Sequence, residues 1–356
     1  MSRRKPRTAT VIVTGAGGVG KTTIAAAVGI ASARAGKRTL VLTVDPARRL
    51  ADALGIETIG NVPTPVSGQT ELWAAMLDVT ASWEGIISRH AEPDVAARLE
   101  QNPYFRAIAD RFPAAQSYAA GEQLAEYLEA GAWEVVVVDT PPAGGGIDFF
   151  EAPRRMRELI GGRVLRWITG AGLPGRRALY RITARPMLRL TDNVLGGPLL
   201  EEVAEFLLDL RTLYDGLARR AQGIERYFTA ATTVVVTTAY PTPLREARRF
   251  YEALPDIAAP PACVIFNRAL PAAWADHAPD LASQDLDAAT QIALHVNLER
   301  WGAEARHQAE VRLEFANRHK TVPLQIPWME HAPTSINALA ALIDEADARV
   351  LEVLEL

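Results

Sequence analysis

Apolar residues fall in two patterns along the chain. Short runs with little polar interruption recur at Ala9–Thr14 (ATVIVT), Arg38–Val44 (RTLVLTV), Leu72–Leu77 (LWAAML), Glu134–Val138 (EVVVV), Thr232–Thr237 (TTVVVT), Ala262–Phe266 (ACVIF) and Val322–Ile326 (VPLQI). Runs such as VIV, VLTV and VVVV are continuous rather than alternating. That suits strands buried on both faces of a parallel sheet covered by helices. Helix-like stretches separate most of the runs, and this alternation predicts an α/β, doubly wound, mostly parallel sheet.

The alternation lapses between about residues 147 and 228, where no strand candidate occurs. Within that stretch, Val203, Phe206, Leu207, Leu210, Leu213, Leu217 and Ile224 recur at helical spacing. Glycines at 161–162, 170–175 and 196–197 break the part before it into short pieces. A second helical stretch covers about 80–133. Strand candidates resume after 228 and must return to the same sheet. The expectation is therefore one domain, 1–356, with helical insertions at about 80–133 and 147–228 forming a layer on one edge of the α/β core. There is no internal repeat and no low-complexity linker.

Composition removes several classes. The 356 residues carry 38 Lys plus Arg against 42 Asp plus Glu, for a net charge of −4. That balance is not that of a protein whose main task is coating nucleic acid. With 49% apolar residues the chain can build a core and is not a disordered type. No run reaches the roughly 18 apolar residues of a membrane span. The basic start, MSRRKPRTAT, is followed by too short an apolar run for a signal peptide, so a cytoplasmic location is expected. The lone cysteine, Cys263, permits no internal disulfide and builds no zinc site by itself. Only four of the basic residues are lysines (Lys5, Lys21, Lys37, Lys320), so each lysine raises the question of why arginine would not serve.

Lys21 answers it. Gly15-Ala16-Gly17-Gly18-Val19-Gly20-Lys21-Thr22 matches the phosphate-binding loop G-x-x-x-x-G-K-[ST], and it stands between an apolar strand and an Ala-rich helix that stops near Gly36. Glycines allow successive backbone N–H groups to face one concavity, and the helix N-terminus adds positive potential for phosphate. Lys21 is a compact point charge for the β- and γ-phosphates where arginine's planar fork is bulkier. The Thr22 hydroxyl suits Mg²⁺. Asp45 ends the second strand candidate, where a carboxylate faces the ligand crevice of a doubly wound sheet. Preceding a proline, it also fits a helix cap. Asp139 follows Val135–Val138, the position of a carboxylate that holds Mg²⁺ through water; a solvated turn aspartate is the plainer alternative. The glycines at 144–146 would permit a γ-phosphate-sensing switch.

Together, Gly-Gly-Val-Gly-Lys-Thr-Thr, the strand ending Val-Asp-Pro-Ala and Asp-Thr-Pro-Pro resemble the ArsA group of NTPases. That group includes the arsenite-pump ATPase and the ATPase for guided entry of tail-anchored membrane proteins. The likeness runs from Val11 to the last helix, and within the group it points to the bacterial ArsA-like branch, some members of which work as paired paralogues. The resemblance implies that Gly17, Gly18, Val19, Gly20, Lys21, Thr22 and Thr23 hold ATP and Mg²⁺. It implies that Asp45 positions the hydrolytic water and that Asp139 serves the second switch. Asn267 would read the adenine ring and Pro327 would lie in the loop that covers it; for Asn267 a strand-end turn role is the alternative.

The departures narrow the expectation. The family's signature lysine, at the loop's second position, is replaced by Ala16. Arg48 or Arg49, or a partner subunit, would have to supply the missing cation. The cysteines of the family's zinc and arsenite sites are absent, so no zinc is expected, and the six histidines show no zinc-site spacing. Arg154–Arg189 holds ten arginines and one acid, Glu158. It suits a membrane surface or client helix, or arginines snorkelling outward from a packed face.

The leading expectation is thus a Mg-dependent dimeric ATPase, a homodimer or a heterodimer with a paralogue, acting on a membrane-protein or membrane-surface client, cytoplasmic or peripheral to the membrane. An ATP-binding regulatory subunit with little hydrolysis of its own is the alternative. A partition-type DNA-associated ATPase ranks last, and nucleic acid is not an expected partner.

Overall fold

A computed structural model describes residues 8–161, 206–276, 287–344 and 349–356, apart from 46, 104, 107–108, 110–112, 142–144, 207, 211, 272 and 355. The described residues of Met1–Met76, Tyr127–Ile147 and Thr229–Leu356 pack as one compact unit, and those of Leu77–Glu126 and Asp148–Phe228 as a second.

The first unit is built on one eight-stranded sheet. Its strands are β1 (Ala9–Gly15), β2 (Thr39–Thr43), β3 (Thr64–Pro65), β4 (Leu72–Met76), β5 (Val135–Asp139), β6 (Thr232–Thr237), β7 (Cys263–Ala269) and β8 (Val322–Pro327). They lie in the order β3-β4-β2-β5-β1-β6-β7-β8. Every pairing is parallel except β3 with β4. The seven strand candidates are all present, with ends shifted by a few residues at most. β3 was not foreseen: two residues containing a proline make no apolar run, and Pro is tolerated there because the strand is an edge. The fold class read from the sequence is therefore the observed one.

The continuous apolar runs behave as a two-sided burial predicts. All five residues of β5 are buried, as are all five of β2. Burying each such valine contributes about 1.5–3 kcal/mol. Helix α1 (Lys21–Arg34) is buried along almost its whole length, from Ile24 to Ala33, so its alanines are packing residues rather than a solvent face. Cys263 opens β7 fully buried, and that burial pushes its thiol up to about 12. Helices α2 (Arg49–Leu54), α8 (Pro241–Ile257), α9 (Ala273–Asp276), α10 (Ala288–His319) and α11 (Ile336–Asp344) belong to this unit.

The second unit takes α3 (Val79–His90), α4 (Pro93–Gln101) and most of α5 (Pro113–Ala130), α6 (Gly145–Gly161) and α7 (Tyr214–Ala230). Asp78 caps α3 by accepting from the Ala81 N–H at 3.1 Å. Of the positions read at helical spacing, Phe206, Leu213, Leu217 and Ile224 are buried, while Leu210 is only half-buried. Val203 and Leu207 lie outside the described residues. Trp83 packs on Phe105 and Tyr118, and Phe149, Phe150 and Phe228 meet as a triad.

Of the arginine-rich stretch only 154–161 is described, and the rest lies outside the described residues. Its described arginines are paired: Arg154 with Glu151 and Glu158, Arg155 with Asp148 and Glu151, and Arg157 with Glu225.

One ion pair in this unit is buried. Glu122 accepts twice from Arg220 Nε, at 2.8 and 2.9 Å, and lies 3.3 Å from Arg89. Only 1% of its side chain is exposed, and burial raises its carboxyl above the ordinary range despite both arginines. Removing one member of such a pair strands the other, so Glu122→Ala is expected to cost about 3–5 kcal/mol in urea unfolding. Glu126→Ala, at a half-open carboxylate paired with the same Arg89, is expected to cost no more than about 1 kcal/mol.

Candidate functional site

The C-terminal ends of β1, β2, β5 and β7 carry the chemistry-bearing residues. β1 is central, with β5 and β6 on either side. At its last residue, Gly15, φ is 146°, and a Cβ there would run into the carbonyl oxygen of Val236 on β6. The loop can therefore leave the sheet only through glycine. At the far end Gly20 is the left-handed N-cap of α1, with φ 99° and no side-chain cap. The first N–H groups of α1 are left for a ligand, which is how a helix start binds anions.

Gly17 and Gly18 are exposed on the loop, whereas the side chains of Ala16 and Val19 are buried. Val19 thus offers the site its backbone only. Lys21, almost fully buried, donates from Nζ to the Ala16 carbonyl at 2.9 Å and so bridges its own loop. Burial lowers its pKa, against the pull of Asp139 and Asp45.

Asp139 is the most constrained group. It is fully buried at the end of β5, and its Oδ2 accepts from Thr22 Oγ1 at 2.7 Å and from Thr43 Oγ1 at 3.0 Å. Oδ1 is buried without a hydrogen-bond partner. Burial pushes the carboxyl up to about 6, against the two hydroxyls and Lys21, which pull it down. A hard-oxygen pair with one orphaned carboxylate atom fits Mg²⁺, which favours few protein ligands and keeps several waters. No cluster of three or more His, Cys, Asp or Glu side chains suited to a metal occurs among the described residues.

Asp45, beyond the end of β2, faces the crevice but does not cap α2, whose N-cap is Arg48. Asp45 Oδ1 accepts from the Ala47 N–H at 2.9 Å, a local turn cap, while the residue also lines the cleft above the phosphate loop. Arg49 lines the same cleft, with Nη1 3.7 Å from Asp45 Oδ2. Arg48 turns away and donates to the carbonyl of Glu57. The cleft measures about 240 Å³, and Lys21, Thr22 and Thr23 are on its wall.

Asn267 is buried under the loop. Its Nδ2 donates to the Val19 carbonyl at 2.8 Å and its Oδ1 accepts from the Arg268 N–H at 2.9 Å. Both ends of the amide therefore hold backbone, whatever else the residue contacts. Pro327 ends β8 opposite Ala269, where Trp328 N–H donates to the Ala269 carbonyl at 2.8 Å. It stands near the Asn267 strand end and is not on the wall of the cleft. Of the switch glycines, residue 144 lies outside the described residues, and 145–146 open α6.

Sequence reasoning missed Thr43, Thr140 and Arg268. Thr43 was signalled by a hydroxyl interrupting an apolar strand. Thr140 lines the cleft while its Oγ1 donates to the Val13 carbonyl at 3.0 Å. Arg268 also lines the cleft, and nothing in sequence announces its left-handed backbone, φ 58°.

A strand, a glycine loop closed by a lysine, an α-helix, and a buried aspartate on the neighbouring strand define a phosphate-loop NTPase fold. The chain belongs to the anion-transporting ATPase (ArsA) family, whose model matches residues 8–288. It is 34% identical over 205 residues to an uncharacterized protein of Streptomyces coelicolor, covering 51% of this chain and 49% of that one. It is 36% identical over 149 residues to a Halobacterium salinarum protein named as an arsenical pump-driving ATPase, covering 39% and 23%. It is 29% identical over 182 residues to the ATPase get3 of Aspergillus terreus, covering 48% and 53%. The chain thus spans about half the length, or less, of these relatives.

Asp139 yields a prediction whose sign is fixed. Its folded pKa, about 6, lies above the ordinary 3.8. The folded state therefore holds more protons between those values, and its stability falls as pH rises through that window. Above it the full cost of the buried charge remains. Asp139→Asn is expected to raise the melting temperature of the ligand-free protein at pH 7.5, with little change at pH 4.

Proposed function

We propose that the chain binds ATP with Mg²⁺ in this cleft and hydrolyses it, and that the resulting switch motion acts on a client or partner protein. The observation that carries this reading is the buried Asp139 of β5, which accepts from Thr22 of α1 and feels the charge of Lys21 from the same helix. The loop N–H groups and the α1 N-terminus bind the phosphates. Lys21 neutralises charge that grows on the terminal phosphate as its bond breaks. Asp45 orients the water for in-line attack from the β2 side. Mg²⁺, when bound through Thr22 and Asp139, neutralises phosphate charge and fixes the geometry of the leaving group. The glycines that open α6 release the second switch once the γ-phosphate leaves.

Ala16 gives the loop no cation beyond Lys21. Of the two candidate replacements, Arg49 is the one that lines the cleft, and its pairing with Asp45 is long and open to solvent, so it is free to turn to a phosphate. Arg49 is thus the residue proposed to replace the absent signature lysine.

A dimer, homomeric or with a paralogue, and a membrane-protein or membrane-surface client complete the proposal by way of the family resemblance. Among the described residues no helix is long and apolar enough to cross a membrane. Ala16 also favours one second reading, that of an ATP-binding regulatory subunit that needs a partner's cation to turn over.

Two measurements separate these. ATP turnover by the full chain is expected to drop about 10²-fold or more in Lys21→Ala; equal rates in the two would overturn the enzyme reading for the isolated chain. Arg49→Ala is expected to slow turnover at least about ten-fold, with Arg48→Ala close to wild type. The reverse order would remove Arg49 from the role.

A further inference from the structure

Arg268 combines three features. Its backbone is left-handed at φ 58°, a conformation non-glycine residues adopt at a cost. It sits in a break of register, where the pairing of β7 with β8 slips between Phe266 and Ala269. Its exposed side chain lines the phosphate-loop cleft together with Gly18, Gly20 and Lys21. Strain retained at a residue that faces a ligand cleft argues for a task done by that residue.

The local hydrogen bonds explain how the strain is held. Asn267 Oδ1 accepts from the Arg268 N–H and so fixes the turned backbone, while its Nδ2 grips the Val19 carbonyl of the phosphate loop. Any side chain at Gly20 would collide with that same amide. Arg268 is therefore tied through one buried amide to the start of α1. It approaches the cleft from the β7 side, whereas Asp45 and Arg49 follow β2, on the opposite side of β1.

We propose that Arg268 donates its guanidinium to the diphosphate portion of the bound nucleotide, the part that ATP and ADP share, leaving the terminal phosphate to Lys21 and Arg49. This rests on the nucleotide reading of the cleft. A planar, permanently charged fork suits paired phosphate oxygens, and the fixed backbone lowers the entropy lost on engaging them. The consequence is a division of labour: Arg268 retains nucleotide through the cycle, while Arg49 distinguishes ATP from ADP.

The test is calorimetric titration of the full chain with ADP, and separately with inorganic pyrophosphate, each with Mg²⁺. Arg268→Gly removes the charge but suits the positive φ, so it is expected to melt no lower than wild type. It should weaken ADP and pyrophosphate by the same factor, about ten-fold or more, with Arg268→Lys recovering part of the loss. Unchanged ADP affinity in Arg268→Gly would overturn the assignment. So would weaker ADP with unchanged pyrophosphate, since the guanidinium would then act on the base. If the wild-type chain bound no ADP at all, the nucleotide reading itself would fall, and this assignment with it.

Discussion

A carboxylate is expensive to bury, and Asp139 is fully buried with one oxygen unpartnered. The surrounding structure is arranged around that cost. Thr22, from the first turn of α1, and Thr43, from the end of β2, both give their hydroxyls to the other oxygen, and Lys21 lies close enough to pull on the charge. Two elements near the start of the chain are thereby fixed to one atom at the end of β5, 117 and 96 residues further on. Without a ligand the arrangement is incomplete, because desolvation still outweighs these partners and holds the carboxyl near 6. A site that is electrostatically unfinished when empty gains most when a cation arrives.

The phosphate loop is pinned from two sides in consequence. Lys21 ties its entry at Ala16, and Asn267 ties its exit at Val19. Between these fixed points, Gly17 and Gly18 remain exposed. Rigidity beneath the loop and openness above it are what preorganised binding of a phosphate chain requires.

Much of this was legible from residues alone, for a physical reason. Two-sided burial forces strands such as VVVV to be apolar throughout, and the loop's geometry forces glycine at fixed offsets, so both leave marks in the sequence. Asp45 and Asp139 were found because strand ends in this fold face the crevice. What escaped depended on long-range geometry. β3 is held by its neighbour rather than by its own pattern. Thr43 reads as a strand residue until β5 is placed beside it. Arg48 and Arg49 look equivalent side by side, and only the turn into α2 sends one to the cleft and the other to Glu57. Arg268 looks like an ordinary surface arginine until its backbone angle is known. The arginine-rich stretch was conspicuous in sequence, and the arginines of its described portion pair with acids at 148, 151, 158 and 225.

The lone thiol has a use unconnected with chemistry at the cleft. Cys263 is sealed in β7, four residues before Asn267, and its raised pKa keeps it protonated at neutral pH. A thiol reagent can reach it only when the sheet opens, so its rate of labelling reports how often that happens. A compound that binds the closed state suppresses opening in proportion to its occupancy. The chain therefore carries a built-in gauge on which nucleotides, ions and partner proteins can be ranked before any turnover is measured.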